Sequence, residues 1–146
     1  MNTGILKYGI VGGVAGGLVF GAMMGMMGML TVIGQMAGSP SAALGLVVHL
    51  SISAFIGATF AFLFGSRIDT RATGLGYGLL YGAIWWILGP LTLMPVMMGM
   101  GVAWTIPAAI QALPSLMGHL IYGGILGVTF GQLRCRSCSI SAVEAQ

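Results

Sequence analysis

YGIVGGVAGGLVFGAMMGMMGMLTVIGQMAGSPSAALGLVVHLSISAFIGATFAFLFGS, residues 8–66, contains no Asp, Glu, Lys or Arg. The same holds for ATGLGYGLLYGAIWWILGPLTLMPVMMGMGVAWTIPAAIQALPSLMGHLIYGGILGVTFGQL, residues 72–133. Each run is about 60 residues long, and a membrane-crossing helix needs about 20 apolar residues, so each run holds two helices and a turn. The expected fold is all-α, a four-helix transmembrane bundle in one domain over residues 1–133, followed by a short cytoplasmic tail over 134–146.

The whole chain fits that reading. It is 58% apolar and 5% charged, with a mean hydropathy of +1.03. Soluble domains carry roughly 25% charged residues, which excludes a soluble globular domain. Disorder needs the opposite bias. A net charge of +3 is too small to neutralise a phosphate track, so nucleic acid is not an expected partner. Too little polar chain remains for a catalytic domain outside the membrane.

The helices are expected at about 6–34, 41–65, 73–100 (bent by Pro90 and Pro95) and 114–133. Gly38-Ser39-Pro40 turns the first pair, and the Arg67–Arg71 segment joins the middle pair. Residues 102–113 form a longer uncharged connection. Ser41 and Ser115 are expected as helix-start residues. Lys7, Arg67, Arg71, Arg134 and Arg136 then share one side. The positive-inside rule places both termini in the cytoplasm, in a multi-pass protein of the inner (cytoplasmic) membrane. The apolar run after Lys7 is longer than a signal-peptide core, so it is expected to stay as a helix.

The second and fourth helices match at a spacing of 70: His49-Leu50 with His119-Leu120, Gly57-Ala58-Thr59-Phe60 with Gly127-Val128-Thr129-Phe130, and Leu63 with Leu133. Gly21-Ala22 then Met26 matches Gly89-Pro90 then Met94 more loosely. The chain reads as two tandem two-helix repeats, about 6–65 and 73–133. Two helices per repeat give both copies one orientation, related by an axis along the membrane normal.

Glycines recur every fourth residue at Gly9, Gly13, Gly17, Gly21 and Gly25, and again at Gly74, Gly78 and Gly82. Gly57 in the second helix, and Gly123, Gly127 and Gly131 in the fourth, continue the pattern as a glycine zipper. Residues four apart share a helix face, and small residues there let helix backbones approach closely in lipid. A proton-driven rotor ring needs an intramembrane carboxylate, and these runs have none.

His49 and His119 lie on the small-residue stripes at matching repeat positions. An ionisable residue inside a membrane is a functional candidate. They sit 18 and 15 residues from Arg67 and Arg134, roughly 22–27 Å at 1.5 Å per residue, in the outer half of the membrane. Gly45 and Ser115, one turn earlier, leave room beside each ring. The candidate ligands are haem, whose iron accepts imidazole, or Cu(I), with soft thioethers from Met23, Met24, Met26, Met27, Met94, Met97 and Met98. The plainer alternatives are a hydrogen-bonded histidine and methionine as flexible filler.

Trp85 and Trp86 fall too deep for an interfacial belt and are expected to pack, whereas Trp104 fits the outer interface. Cys135 and Cys138 form a Cys-x-x-Cys in the expected tail, where cytoplasmic thiols stay reduced. A lone pair of thiols does not complete a four-ligand zinc site. No nucleotide-binding, hydrolase or metalloprotease motif occurs, and general acid–base chemistry has almost no side chains beyond the two histidines. An enzyme is not expected.

Gly82 to Met100, with its Trp-Trp-Ile-Leu-Gly-Pro-Leu-Thr-Leu-Met-Pro core, together with Ser39-Pro40-Ser41 followed by His49, resembles a family of small four-helix prokaryotic integral membrane proteins of unassigned function. The resemblance extends up to Leu133, excludes the cysteine pair, and implies a four-helix membrane protein without bringing an activity. The expectation is a non-enzymatic inner-membrane protein that acts within a homo-oligomer or larger membrane complex, with His49 and His119 as its special site. The alternatives are a small channel or transporter for an ion, metal or small solute, and a scaffold without ligand.

Overall fold

The computed structural model describes the backbone of residues 3–144 and the side chains of residues 4–137. The described chain is all-α, in the order α1 (Thr3–Met26), α2 (Met29–Met36), α3 (Ala42–Phe64), α4 (Arg71–Leu88), α5 (Met94–Met97), α6 (Ile106–Gln111) and α7 (Leu113–Glu144). Four stretches are long and apolar enough to cross a membrane: Gly4–Met26, Ala42–Arg67, Arg71–Met97 and Leu113–Ser137. The shortest has 23 residues, about 34 Å of helix against a hydrocarbon core of about 30 Å.

Several boundaries differ from the sequence reading, each for a local reason. The first helix stops at Met26 instead of continuing to Gly34. Gly28 takes φ +73°, a left-handed turn that glycine adopts without steric cost, and α2 starts afresh. A side-chain carbon on Gly45 would meet the Leu30 backbone, so α2 lies directly against the start of α3. The third helix changes its winding where its prolines stand. Pro90 has no N–H to donate, and residues Gly89–Leu93 widen into one π-helical turn, with the Met94 amide reaching back to the Gly89 carbonyl.

The connection after the third span holds the short helix α6, which opens on Thr105 accepting from the Ala108 amide at 3.3 Å. The fourth helix begins at Leu113, which puts Ser115 inside its first turn instead of at its start. It also runs on to Glu144, so residues 134–144 are helix and not a loose tail. Ser41 does cap α3, accepting from Leu44 at 3.4 Å. Thr70 and Thr73 cap each other at the start of α4.

Backbone proximity organises the bundle. α1 packs on α3 and on α7, and α4 packs on α7. A side-chain carbon on Gly13 would stand 2.9 Å from Gly57 Cα, and one on Gly78 would stand 3.1 Å from Gly127 Cα. Gly12 and Gly16 bring α1 equally close to the Leu126 and Tyr122 carbonyls of α7. Between α3 and α4 the filling is aromatic instead: Phe60 lies 5.3 Å from Tyr81, and Phe64 lies 5.2 Å from Tyr77, between ring centroids. Phe60, Phe130, Leu126 and Ile68 are wholly enclosed.

Two tyrosines tie the pairs together. Tyr122 of α7 donates to the Ser53 carbonyl of α3 at 2.9 Å. Tyr81 of α4 donates to the Ile56 carbonyl at 3.3 Å and meets the Thr59 hydroxyl at 2.6 Å. Large apolar side chains such as Val47, Phe55, Phe62, Leu80 and Met117 point outward, as a lipid-facing surface requires.

Candidate functional site

His49 sits about a third of the way along α3 and is 8% exposed. Its Nε2 lies 3.0 Å from the Gly17 carbonyl of α1. A carbonyl only accepts, so Nε2 carries the proton and the lone pair sits on Nδ1. Gly21 makes room for this ring: a carbon there would come within 3.1 Å of Cδ2. His119 on α7 has the opposite arrangement. Its Nδ1 donates to the Ser115 carbonyl one turn earlier at 2.8 Å, with the Ser115 hydroxyl at 3.3 Å. Nε2 therefore bears the lone pair. It faces Gly89 at the mouth of the π turn, where an added carbon would lie 3.5 Å away.

Phe20 of α1 touches both rings edge-on, at centroid distances of 5.7 Å to His49 and 4.9 Å to His119. Gly118 accommodates it, since a carbon there would fall 2.7 Å from Phe20 Cδ2. The two histidines thus belong to one layer, as their spacing suggests, and share a phenyl ring. Phe20 is the residue that sequence reasoning missed; an aromatic among glycines carries no signal of its neighbours. Tyr81, Tyr122 and Ser53 were also missed, although a tyrosine deep in an apolar helix must place its hydroxyl on some acceptor. The Ser53 hydroxyl bonds back to the His49 carbonyl at 2.8 Å.

The methionines are dispersed. Met26, Met27, Met97 and Met98 are exposed, while Met23, Met24 and Met94 are half-buried. Among the described residues no three His, Cys, Asp or Glu side chains gather as a metal site. Of the glycines, Gly25 faces only Leu30 of the following helix α2, and Gly131 packs against Thr70 and Arg71.

Open grooves line the outside of the described residues, and two of them include no histidine. One, of about 490 Å³, runs between the third span and α6, past Trp86, Leu91, Trp104 and Ile106. The other, of about 510 Å³, runs between α4 and α7, past Leu75, Leu79, Leu120, Gly124 and Thr129. Trp86 is an anchor, donating to the Ala112 carbonyl at 2.9 Å. Trp104 donates to Thr92 at 3.0 Å, pinning the loop to the π turn. Trp85 packs against Tyr81, with its indole N–H buried and unpartnered.

Toward the basic end, the enclosed Phe60, Phe130, Leu126 and Ile68 pack in one core cluster. At that end Arg134 lies 3.7 Å from Asp69. Cys135 donates to the Asp69 carbonyl at 3.0 Å, so it is set in a helix junction; the Cys138 side chain lies outside the described residues. No family model, curated protein or solved structure matches the chain.

Proposed function

We propose that the chain is a non-enzymatic inner-membrane protein, with both termini cytoplasmic, that acts as one subunit of a homo-oligomer. The observation that carries this reading is the α4/α7 groove. Thr129 lines it beside Leu75, Leu79 and Leu120, while Gly124 is buried against Leu75 and Leu79. Thr129 makes no hydrogen bond among the described residues, unlike Thr59, whose hydroxyl bonds Ile56 and Tyr81. A hydroxyl facing lipid is better satisfied by a neighbouring helix. The enclosed cluster of Phe60, Phe130, Leu126 and Ile68 speaks for a closed bundle over a channel.

We read the two helix pairs as a duplication. Gly21 opposes His49 as Gly89 opposes His119, and Gly9 opposes Gly57 as Gly74 opposes Gly127. Within this subunit both histidines are candidate ligands for a soft metal or haem iron. A ligating histidine normally donates its other N–H to a carbonyl, as His119 does to Ser115 and His49 to Gly17.

Native mass spectrometry from mild detergent tests the assembly, with Leu120→Cys crosslinking in the native membrane. Oligomers that weaken in Thr129→Val support it; a monomer throughout overturns it. Iron and copper per polypeptide, in wild type and in a His49→Ala/His119→Ala double variant, test the ligand. Near-stoichiometric metal that the variant loses supports a site, and metal-free wild type removes both haem iron and copper.

A further inference from the structure

The basic end holds a charge imbalance that the fold does not resolve. Lys7, Arg67, Arg71, Arg134 and Arg136 share it, because Ile5 lies against Gly65, Gly131 lies against Thr70 and Arg71, and Arg134 lies beside Asp69. The sequence has two acidic residues, Asp69 and Glu144, and only Asp69 lies among the described side chains. Asp69 points mostly into the surroundings, 76% exposed.

Arg134 is the centre of this end. A guanidinium offers five N–H donors, yet Arg134 makes no hydrogen bond among the described residues. Its approach to Asp69 at 3.7 Å is an ion pair too long for a hydrogen bond. One of its terminal nitrogens, Nη1, is shut away without an acceptor, while 23% of the side chain stays open. One turn earlier, a side-chain carbon on Gly131 would lie 3.1 Å from Arg71 Cα, so Arg71, at the start of α4, flanks the same junction. Arg67 is turned away to cap the α3 terminus, donating to the Leu63 carbonyl at 3.0 Å.

From this geometry we infer that the α4/α7 junction at Arg134 and Arg71 binds the phosphodiester headgroup of an anionic membrane phospholipid. The junction closes two spanning helices, which sets it at headgroup depth. Guanidinium and phosphate match as charge-assisted, often bidentate partners. The excess of bases over acids attracts an anionic lipid and not a zwitterionic one. Asp69, the one described carboxylate nearby, competes with the phosphate for Arg134.

The test uses the delipidated full-length protein in neutral detergent. Phosphatidylglycerol, phosphatidylcholine of the same chains, or inorganic phosphate is titrated, with bound adducts counted by native mass spectrometry. The expected result is saturable phosphatidylglycerol binding, weakened by added salt, with phosphatidylcholine and inorganic phosphate inert at equal concentration. Arg134→Gln and Arg71→Gln each weaken it about fivefold, the factor for one basic residue at an anionic surface. Asp69→Asn tightens it, and this gain does not depend on a variant losing function. Equal binding of the two lipids, or an Arg134→Gln variant that folds by circular dichroism and binds like wild type, overturns the inference. Saturation by inorganic phosphate alone also overturns it, since the site would then take a soluble anion.

Discussion

Replacing Gly127 with alanine tests whether backbone contact holds α4 to α7. The new carbon would stand 2.7 Å from the Gly74 carbonyl carbon and 3.1 Å from Gly78 Cα, with the Gly74 oxygen nearer still. Carbon atoms settle at about 3.5–4.0 Å, so the two helices must part by about 1 Å locally. Overpacking of this kind costs about 1–3 kcal/mol. The colliding atoms are main chain and cannot rotate aside, which sets the expectation at the upper part of that range.

Gly76, on α4, is the internal control. Nothing lies within 4 Å of a carbon placed there, and alanine is the better helix former by about 0.8–1.0 kcal/mol. The two Gly→Ala variants should therefore move stability in opposite directions. Reversible unfolding by dodecyl sulfate in mixed micelles, followed by Trp fluorescence, measures both. A Gly127→Ala variant within about 0.5 kcal/mol of wild type, the ordinary scatter of surface changes, would refute the contact argument. So would Gly76→Ala proving the more damaging.

The other expectations rest on separate features. Tyr122→Phe removes the hydroxyl that α3 accepts at Ser53 and should cost about 0.6 kcal/mol, the mean for hydrogen bonds between membrane helices; the same unfolding assay reads it, and no change would show that the bond contributes nothing. Gly28→Ala places a side chain at φ +73° and should cost about 1–2 kcal/mol; unchanged stability would mean that the α1–α2 break can be relaxed. In a background lacking Cys135 and Cys138, Met100→Cys should react with a membrane-impermeant maleimide added outside intact cells, and Lys7→Cys only after permeabilisation; the reverse pattern would invert the proposed topology.

The spans were legible because charge is so costly in lipid that its absence alone marks them. The glycine rows were legible too, since a spacing of four on a helix leaves little choice of face. Gly28 was not distinguishable from the packing glycines around it, because the same residue serves close approach and left-handed turns. The end of the fourth helix was missed because Arg134 and Arg136 mark where lipid stops, and a helix does not have to stop there. At the histidines the shared layer was visible in the 70-residue spacing. The Phe20 ring that joins them comes from a different helix, so its position depends on how α1 rotates against α3 and α7. The methionines were grouped by adjacency along the chain, but neighbours along a helix point in different directions, and four of the seven turn outward.

The contact between α1 and α7 also has a consequence in time. The first and last spanning helices touch through Gly12 and Gly16, yet Leu113 follows Met26 by 87 residues. At a synthesis rate of about 5–20 residues per second, α1 waits roughly 4–17 s before synthesis of α7 even begins. During that interval α3 covers one side of α1, while the side carrying Gly12 and Gly16 stays open to lipid or to a passing helix. A newly inserted chain therefore carries a vacant berth for its own last segment, and a ribosome stalled before Leu113 would leave that berth open to quality-control machinery or to the α7 of another copy.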